Sequence, residues 1–184
     1  MLLPIYLYGQ AVLRKEAQDV PADYPDLKKL VTDMFQTMEK ANGVGLAAPQ
    51  VGLALRMFVV DGNGLESEYP ECLNFRRCMI NPEIVEQSSE TITKDEGCLS
   101  VPGVYEAVKR PDWIVVRYKD EDFVEHEEKI VGFAARMTLH EYDHLDGRMF
   151  IDHVSPLRKQ LIKNKLSAIL KGKVDISYKY KGSK

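Results

Sequence analysis

One five-residue motif constrains the fold of this chain more than any other feature: residues 140–144 read HEYDH. On an α-helix, positions i and i+4 lie on one face, so His140 and His144 can bind one cation with their imidazole nitrogens. Glu141 would then lie beside the cation, within reach of a water molecule. This is the HExxH arrangement of metal-dependent hydrolases. With four His in the chain, two of them spaced around a Glu favour a metal-binding helix over a surface helix that carries both by chance.

A catalytic metal of this kind needs a third protein ligand and one open position. No Glu follows Glu141, and Phe150 stands where the metzincin pattern has its third His. His153 is the only His further downstream, and its spacing fits no zinc motif. Upstream, Cys98 offers a thiolate, and the preceding Gly97 lets the backbone approach the site closely. Cys98 is therefore the predicted third ligand, although an isolated Cys is more often a buried structural thiol.

Three segments together resemble the peptide deformylase family. They are GVGLAAPQ at 43–50, EGCLS at 96–100 and HEYDHLDG at 140–147, in the family's order and close to its spacing. Three matches in order are far more specific than any one of them. The family usually has Gln immediately before the first metal-binding His, whereas this chain has Leu139. This departure predicts a tuned site rather than a lost one.

The resemblance implies an enzyme that removes the formyl group from the N-terminal formyl-methionine of nascent polypeptides and releases formate. It implies one divalent metal, Fe²⁺ in the cell, while the same ligands also suit Zn²⁺, Ni²⁺ or Co²⁺. Glu141 is expected to take a proton from water and deliver it to the leaving amine. The metal, the Gln50 side-chain amide and the Leu99 backbone N–H are expected to stabilise the oxyanion.

Two other hypotheses remain open. The first is a HExxH zinc endopeptidase with a different third ligand, which the segment around Cys98 disfavours. The second is a non-catalytic metal-binding or ribosome-binding module that kept the fold. The presence of Glu141 disfavours it, because a purely structural metal site needs no general base.

Further residues are expected to bind the substrate or to support the metal ligands. The predicted substrate contacts flank the three motifs and are Val44, Gly45, Gly97, Phe133 and Met137. Phe133 and Met137 are equally compatible with a helix that packs on the core. Arg110 is expected to pair with Glu96 and brace the loop of the cysteine, or else to be an ordinary surface residue.

Hydrophobic periodicity and turn residues predict the order of helices and strands. Helices are predicted after Pro25 to about 42–43, over 132–145, and from Ser155 to about 171–172. Strands are predicted at 57–61, at 78–86 and in the following stretch up to residue 95, and two more form a hairpin at 113–119 and 123–131. Loops are predicted at 43–52 and 62–76. This pattern predicts an α+β fold, in which short mixed or antiparallel strands surround a central metal-binding helix and further helices lie near both ends.

Composition predicts one domain over residues 1–184. Hydrophobic residues make up 45% and charged residues 29%, which is typical of a globular protein. No apolar run is long enough for a membrane helix, and the N-terminus lacks the pattern of a signal peptide. Three cysteines without a disulfide framework favour a reducing compartment. The sequence therefore predicts a cytoplasmic protein without membrane association.

The C-terminal segment 157–184 is strongly basic. It carries nine Lys or Arg and one acid, Asp175, so its net charge is +8 against −11 for the rest of the chain. The segment is either a solvated helix with a frayed end or a basic arm for ribosomal RNA. A helical C-terminus resembles the Gram-negative deformylase class, in which it contacts the ribosome. Removal of the residues after Leu157 is expected to weaken ribosome binding and to spare turnover of free peptides.

Overall fold

Three α-helices and nine strands lie within residues 1–183, the part of the chain that the computed structural model describes. The helices are α1 (Leu27–Lys40), α2 (Gly132–Leu145) and α3 (Pro156–Leu170). The strands are β1 (Ile5–Tyr6), β2 (Gly45–Ala47), β3 (Met57–Asp61), β4 (Arg76–Gln87), β5 (Thr91–Cys98), β6 (Val101–Pro111), β7 (Trp113–Lys119), β8 (Glu125–Val131) and β9 (Tyr180–Lys181). The fold is α+β, as the sequence predicts.

The strands form three sheets of unequal size. Five antiparallel strands form the largest, in the order β2-β3-β4-β7-β8. The antiparallel hairpin β5-β6 forms the second sheet, and β1 and β9 form a short parallel pair. The hairpin turns tightly after Cys98, which pairs with Val101, so the predicted third ligand lies at the tip of the hairpin.

Strand β3 explains why two hydrophobic clusters lie on opposite sides of the large sheet. Successive side chains of a strand point to opposite faces. Phe58 and Val60 pack with α2, whereas Met57 and Val59 pack in the larger cluster with α1, β6 and α3. Burial on both faces accounts for the continuous apolar run that marks this strand in the sequence.

Helix α2 occupies the predicted range 132–145 and is mostly buried. Gly132 opens it with φ +61°, a conformation that favours glycine, and the Phe133 N–H donates to Glu71 Oε1 over 2.7 Å. Strand β3, the hairpin β7-β8 and the start of α3 also lie where the sequence predicts them. At α3, the Ser155 hydroxyl accepts a hydrogen bond from the Arg158 N–H, as expected for an N-cap.

Two predicted loops are partly wrong. Residues 43–52 include strand β2, which pairs with β3, and a 3₁₀ helix, Ala48–Val51. A three-residue strand is too short for a periodicity signal. Residues 62–76 include a 3₁₀ helix, Pro70–Cys72, and bury Cys72 and Phe75 rather than exposing them.

The sequence predicts no element at 101–111, where the structure has β6. The strand alternates regularly between buried and exposed residues. Two of its inward residues, Glu106 and Arg110, are charged, so the alternation of burial is not an alternation of hydrophobicity.

The segment after α3 is not frayed. Over residues 171–183 the chain turns back and ends in β9, which pairs with β1. Within the described residues, no helix combines the length and the apolar character that crossing a membrane requires.

Candidate metal and catalytic site

Three potential metal ligands converge between α2 and the tip of the β5-β6 hairpin. One ligand atom each from Cys98, His140 and His144 lies within 4.8 Å of the others. Cys98 Sγ is 3.5 Å from His144 Nε2. A thiolate and two imidazoles suit divalent cations of borderline softness. The structure thus brings together the three residues that the sequence proposes as ligands.

The pKa values of the two buried histidines shift in opposite directions. Burial, followed by the charge of His140, lowers the pKa of His144 to about 3, so its ring is neutral and able to coordinate. Burial alone would lower the pKa of His140, but the hydrogen bonds that its ring donates to Cys98 and Glu96 outweigh burial and raise this pKa well above its ordinary value. Among the described residues, His144 Nδ1 and Glu141 Oε2 are buried without a hydrogen-bond partner.

Glu96 orients the candidate ligand His140 through the ring nitrogen that faces away from the site. It is buried and pairs with His140 Nδ1 over 2.8 Å, so the Nε2 atom of His140 is left to face the site. Arg110 donates to both oxygens of Glu96, over 2.8 and 2.9 Å, and Arg136 donates over 2.6 Å. Burial would raise the pKa of Glu96, yet the Arg110 and His140 hydrogen bonds hold it well below its usual range.

The structure therefore brings together Glu96 and Arg110, as the sequence suggests, and adds Arg136. Sequence reasoning missed Arg136 because it lies on α2 among apolar neighbours and outside every motif. His153 does not join the ligands. Its ring pairs with Asp143 over 2.7 Å, and Asp143 also accepts from Arg110 over 2.8 Å.

Glu141 lies in a tight, water-poor setting. It is 4% exposed, and burial raises the pKa of its carboxyl group to about 7. A Cβ at Gly45 would lie 2.8 Å from Glu141 Cδ, so only glycine leaves room for this carboxylate. A carboxyl group with a pKa near neutrality can both accept and return a proton.

Gln50 is held at both ends of its amide. Its Oε1 accepts from the Ala47 N–H over 2.9 Å, which fixes Nε2 as the opposite end. Nε2 donates to Ser100 Oγ over 3.1 Å and to Cys98 Sγ over 3.4 Å. The amide nitrogen of Gln50 thus lies beside the candidate metal ligands.

A groove of about 870 Å³ opens onto these residues. Its lining includes the five residues proposed for substrate contact: Val44, Gly45, Gly97, Phe133 and Met137. Leu99 also lines it, and so does Tyr105, which is 70% exposed. A further wall comes from the C-terminal chain, including Ile169 and Tyr178. Sequence reasoning missed this wall, because no motif in the tail signals a return to the site.

A buried carboxylate on a HExxH helix, three convergent soft and imidazole ligands, and an adjoining groove define the class of HExxH metal-dependent hydrolases. The sequence model of the polypeptide deformylase family matches residues 2–160 of this chain. The chain belongs to this family.

Individual relatives agree with the family match. The peptide deformylase of Cytophaga hutchinsonii is 48% identical, over 98% of this chain and 97% of the relative. That of Christiangramia forsetii is 46% identical, over 97% and 95%. The crystal structure of peptide deformylase from Thermotoga maritima superimposes with a TM-score of 0.76 at 41% identity, over 85% of this chain and 99% of that one. The chain is accordingly an enzyme for metal-dependent removal of N-formyl groups from nascent peptides.

Proposed function

We propose that this chain hydrolyses the formyl amide of N-formyl-methionyl peptides, with Glu141 as the proton-transfer group and Cys98, His140 and His144 as the metal ligands. The observation that carries the proposal is the convergence of the three ligand atoms within 4.8 Å, beside the unpartnered Glu141 Oε2. The endopeptidase alternative is not favoured, because Cys98 lies where the third ligand is needed.

The metal is proposed to be Fe²⁺ in the cell, with Zn²⁺, Ni²⁺ or Co²⁺ accepted by the same ligands. Such a cation would acidify a water molecule and polarise the formyl carbonyl. We also propose a cytoplasmic location, where nascent chains are made and a thiolate ligand stays reduced. One catalytic domain over residues 1–184 is part of the same proposal.

Glu141 is proposed to move the proton twice. Its carboxylate first accepts a proton from the attacking water, and the same group then donates a proton to the leaving α-amine of methionine. The raised pKa of Glu141 supports both steps, because the energies of the protonated and ionised forms are close at neutral pH. Because Gly45 has no Cβ, the Glu141 carboxylate can occupy its place at the groove without a clash.

Two donors are proposed for the developing oxyanion: the Gln50 side-chain amide and the Leu99 backbone N–H. The bond from the Ala47 N–H to Gln50 Oε1 supports this role, because it turns the amide nitrogen toward the ligands. Of the two hydrogen bonds that this nitrogen donates, the longer one, to Cys98 Sγ, would be exchanged for the oxyanion.

The methionine side chain is proposed to bind against Val44, Phe133 and Met137, which all line the groove. Phe133 stacks on Tyr69 with ring centroids 4.2 Å apart, so its ring offers a fixed apolar surface. Gly45 and Gly97 are proposed to let the peptide backbone lie close to both strands. Selectivity for formyl over acetyl is proposed to be steric, since a hydrogen fits where a methyl group would clash.

The test of this function is formate release under anaerobic conditions by the metal-loaded protein. A formyl-Met peptide should yield formate, and the matched acetyl-Met peptide should yield no acetate. Equal cleavage of both peptides would contradict the steric explanation. Cleavage of internal peptide bonds instead of the formyl group would contradict the proposed function.

The ribosome surface is a second proposed partner, through the basic α3. Lys159 and Lys163 lie exposed on this helix, and within residues 1–183 neither makes a salt bridge. Such lysines suit RNA phosphate, which binds cations without sequence recognition.

Truncation after Leu157 is a poor test of ribosome binding, because the segment beyond α3 also lines the groove. The double substitution of Lys159 and Lys163 by Gln should instead weaken ribosome binding and reduce its salt dependence. Substituting the exposed Lys15 and Lys40 by Gln is the control with the same change in charge. Equal effects of both pairs would contradict a specific role of α3.

A further inference from the structure

The chain returns to the catalytic groove after α3. Helix α3 ends at Leu170, and Gly172, with φ +70°, reverses the chain direction. Residues 173–178, called the C-terminal strap below, then follow the rim of the groove. Val174, Ile176 and Tyr178 are half-buried against the larger hydrophobic cluster, whereas the residues between them are exposed. The strap therefore packs one face on the body, in the manner of an extended strand.

Backbone hydrogen bonds secure the strap at both ends. At its start, the Lys173 N–H donates to the Ala168 carbonyl over 2.9 Å. Beyond its end, the Ile5 N–H donates to the Lys179 carbonyl and the Leu7 N–H to the Lys181 carbonyl, each over 2.9 Å. These bonds form the parallel pair of β1 and β9. The backbone on both sides of Tyr178 is thus fixed by hydrogen bonds.

Tyr178 contacts the turn that carries the metal ligand of the hairpin. Its hydroxyl donates to the Leu99 carbonyl over 2.6 Å. Burial, followed by the charge of Cys98, raises the pKa of Tyr178 to about 12, so the hydroxyl remains a donor at neutral pH. Two further hydrogen bonds hold the same turn at Ser100. The Tyr8 N–H donates to the Ser100 carbonyl over 2.7 Å, and Gln50 Nε2 donates to the Ser100 hydroxyl over 3.1 Å.

The Leu99 carbonyl and the Leu99 N–H belong to neighbouring peptide groups of a two-residue turn that the pairing of Cys98 with Val101 closes, so within this turn a bond that fixes one group restricts the rotation of the other. We propose that Tyr178 is a positioning residue, which fixes the turn 98–101 through the Leu99 carbonyl and so aims the Leu99 N–H at the formyl oxygen. This inference rests on the proposed function. Tyr178 also lies outside residues 2–160, the part that the family model matches.

The substitution Tyr178→Phe removes the hydroxyl and keeps the packing of the ring. Direct loss of an oxyanion donor costs ~10²–10³-fold in kcat, and a misaimed donor should cost less, about tenfold. KM for a formyl-Met peptide should stay within about twofold, because the interaction acts mainly in the transition state. Tyr180→Phe is the matched control. It removes the same hydroxyl group two residues further along the chain, from a side chain that is 39% exposed.

A second readout does not depend on activity. In the protein loaded with Zn²⁺, which is diamagnetic, the NMR amide signals of Cys98 and Leu99 report the orientation of the turn. They should shift in Tyr178→Phe and stay in place in Tyr180→Phe. Bound zinc should remain near one per chain, because all three ligands are intact.

Kinetics for all variants should be measured well below their melting temperatures, so that a folding defect cannot mimic a loss of kcat. An unchanged kcat in Tyr178→Phe would overturn the inference. A loss of kcat that disappears on cooling would also overturn it, because Tyr178 would then act only on stability. If the wild type released no formate, the proposed function would fail, while the amide signals would still decide whether Tyr178 orients the turn.

Discussion

Gly45 carries no side chain, and the Glu141 carboxylate occupies the space that a Cβ there would take. The φ of Gly45 lies outside the left-handed region, so its backbone would accept alanine. The requirement for glycine at this position is therefore steric.

Gly45→Ala should displace the Glu141 carboxylate and lower kcat by up to about 100-fold, the effect of a misplacement of roughly 1 Å. Metal content should stay near one per chain, because the substitution touches none of the three ligands. Gly182→Ala is the control, since among the described residues its added Cβ would approach Tyr180 no closer than 3.7 Å, an ordinary van der Waals contact. A Gly45→Ala variant with wild-type kcat would show that Glu141 has room to move without loss.

Cys98→Ala should lose both the bound metal and the activity, because a thiolate is the strongest donor of the three. Metal analysis of the purified variant, together with formate release, tests this expectation. Cys72→Ala is the control, since Cys72 is buried, does not belong to the group of candidate ligands, and burial raises the pKa of its thiol to about 11. Tight metal binding by Cys98→Ala would remove Cys98 from the ligand set.

At the residue scale, the sequence leads to His140, Glu141 and His144 because an i, i+4 pair on a helix has a fixed geometry. Cys98 follows from the need for a third ligand. Arg136 and Tyr178 could not be found in this way. Arg136 lies on the metal helix but outside its motif, and Tyr178 reaches the site from a remote part of the chain.

Among the secondary-structure elements, β6 and α3 are joined by a buried carboxylate as well as by apolar packing. Glu106 is 5% exposed and accepts two hydrogen bonds from Arg158, each of 2.8 Å. The Arg158 hydrogen bonds hold the pKa of Glu106 below its ordinary value. The stabilisation is therefore complete above the pKa of the unfolded chain and is lost as pH falls through the lower, folded pKa.

Glu106→Gln should accordingly lower the free energy of unfolding by about 1 kcal/mol at pH 7, since half-exposed Arg158 weakens the pair. The difference from wild type should shrink as pH falls below ~4. Urea unfolding at both pH values measures it. Glu127→Gln, which breaks an exposed pair with Arg117, should change stability by less than ~0.5 kcal/mol. A gap that stays constant with pH would contradict the role of Glu106.

Elements that a clear pattern of apolar residues marks were predictable, and β3 and α2 lie at their predicted bounds. Strand β6 was not, because Glu106 and Arg110 replace apolar residues on its buried face. Those charges are buried only because partners from β5, α2 and α3 neutralise them. Such partners are a property of the assembled fold and leave no local pattern.

On the scale of the whole molecule, the candidate metal site joins two parts that are distant in sequence. Cys98 comes from the β5-β6 hairpin and the two His from α2. The relation of the C-terminal strap to the groove also appears only at this scale, since it depends on the pairing of β9 with β1.

Metal removal should therefore destabilise the whole protein as well as stop turnover. A ligand that binds the folded state stabilises it by about 2.7 kcal/mol when present at 100 times its Kd. The melting temperature should fall on chelation and recover when Zn²⁺ is returned. Cys98→Ala should show no such dependence on chelator. A wild-type melting temperature that does not change on metal removal would argue against a site that bridges the hairpin and α2.

Proton transfer by Glu141 at a metal site is tested most directly by the kcat for formate release of Glu141→Ala, measured on protein whose bound metal has been counted. The variant should hold about one metal per chain and show a kcat more than ~100-fold below wild type, because general acid–base catalysis contributes ~10²–10⁴-fold. A metal-loaded Glu141→Ala enzyme that keeps more than about a hundredth of the wild-type kcat would contradict this role of Glu141.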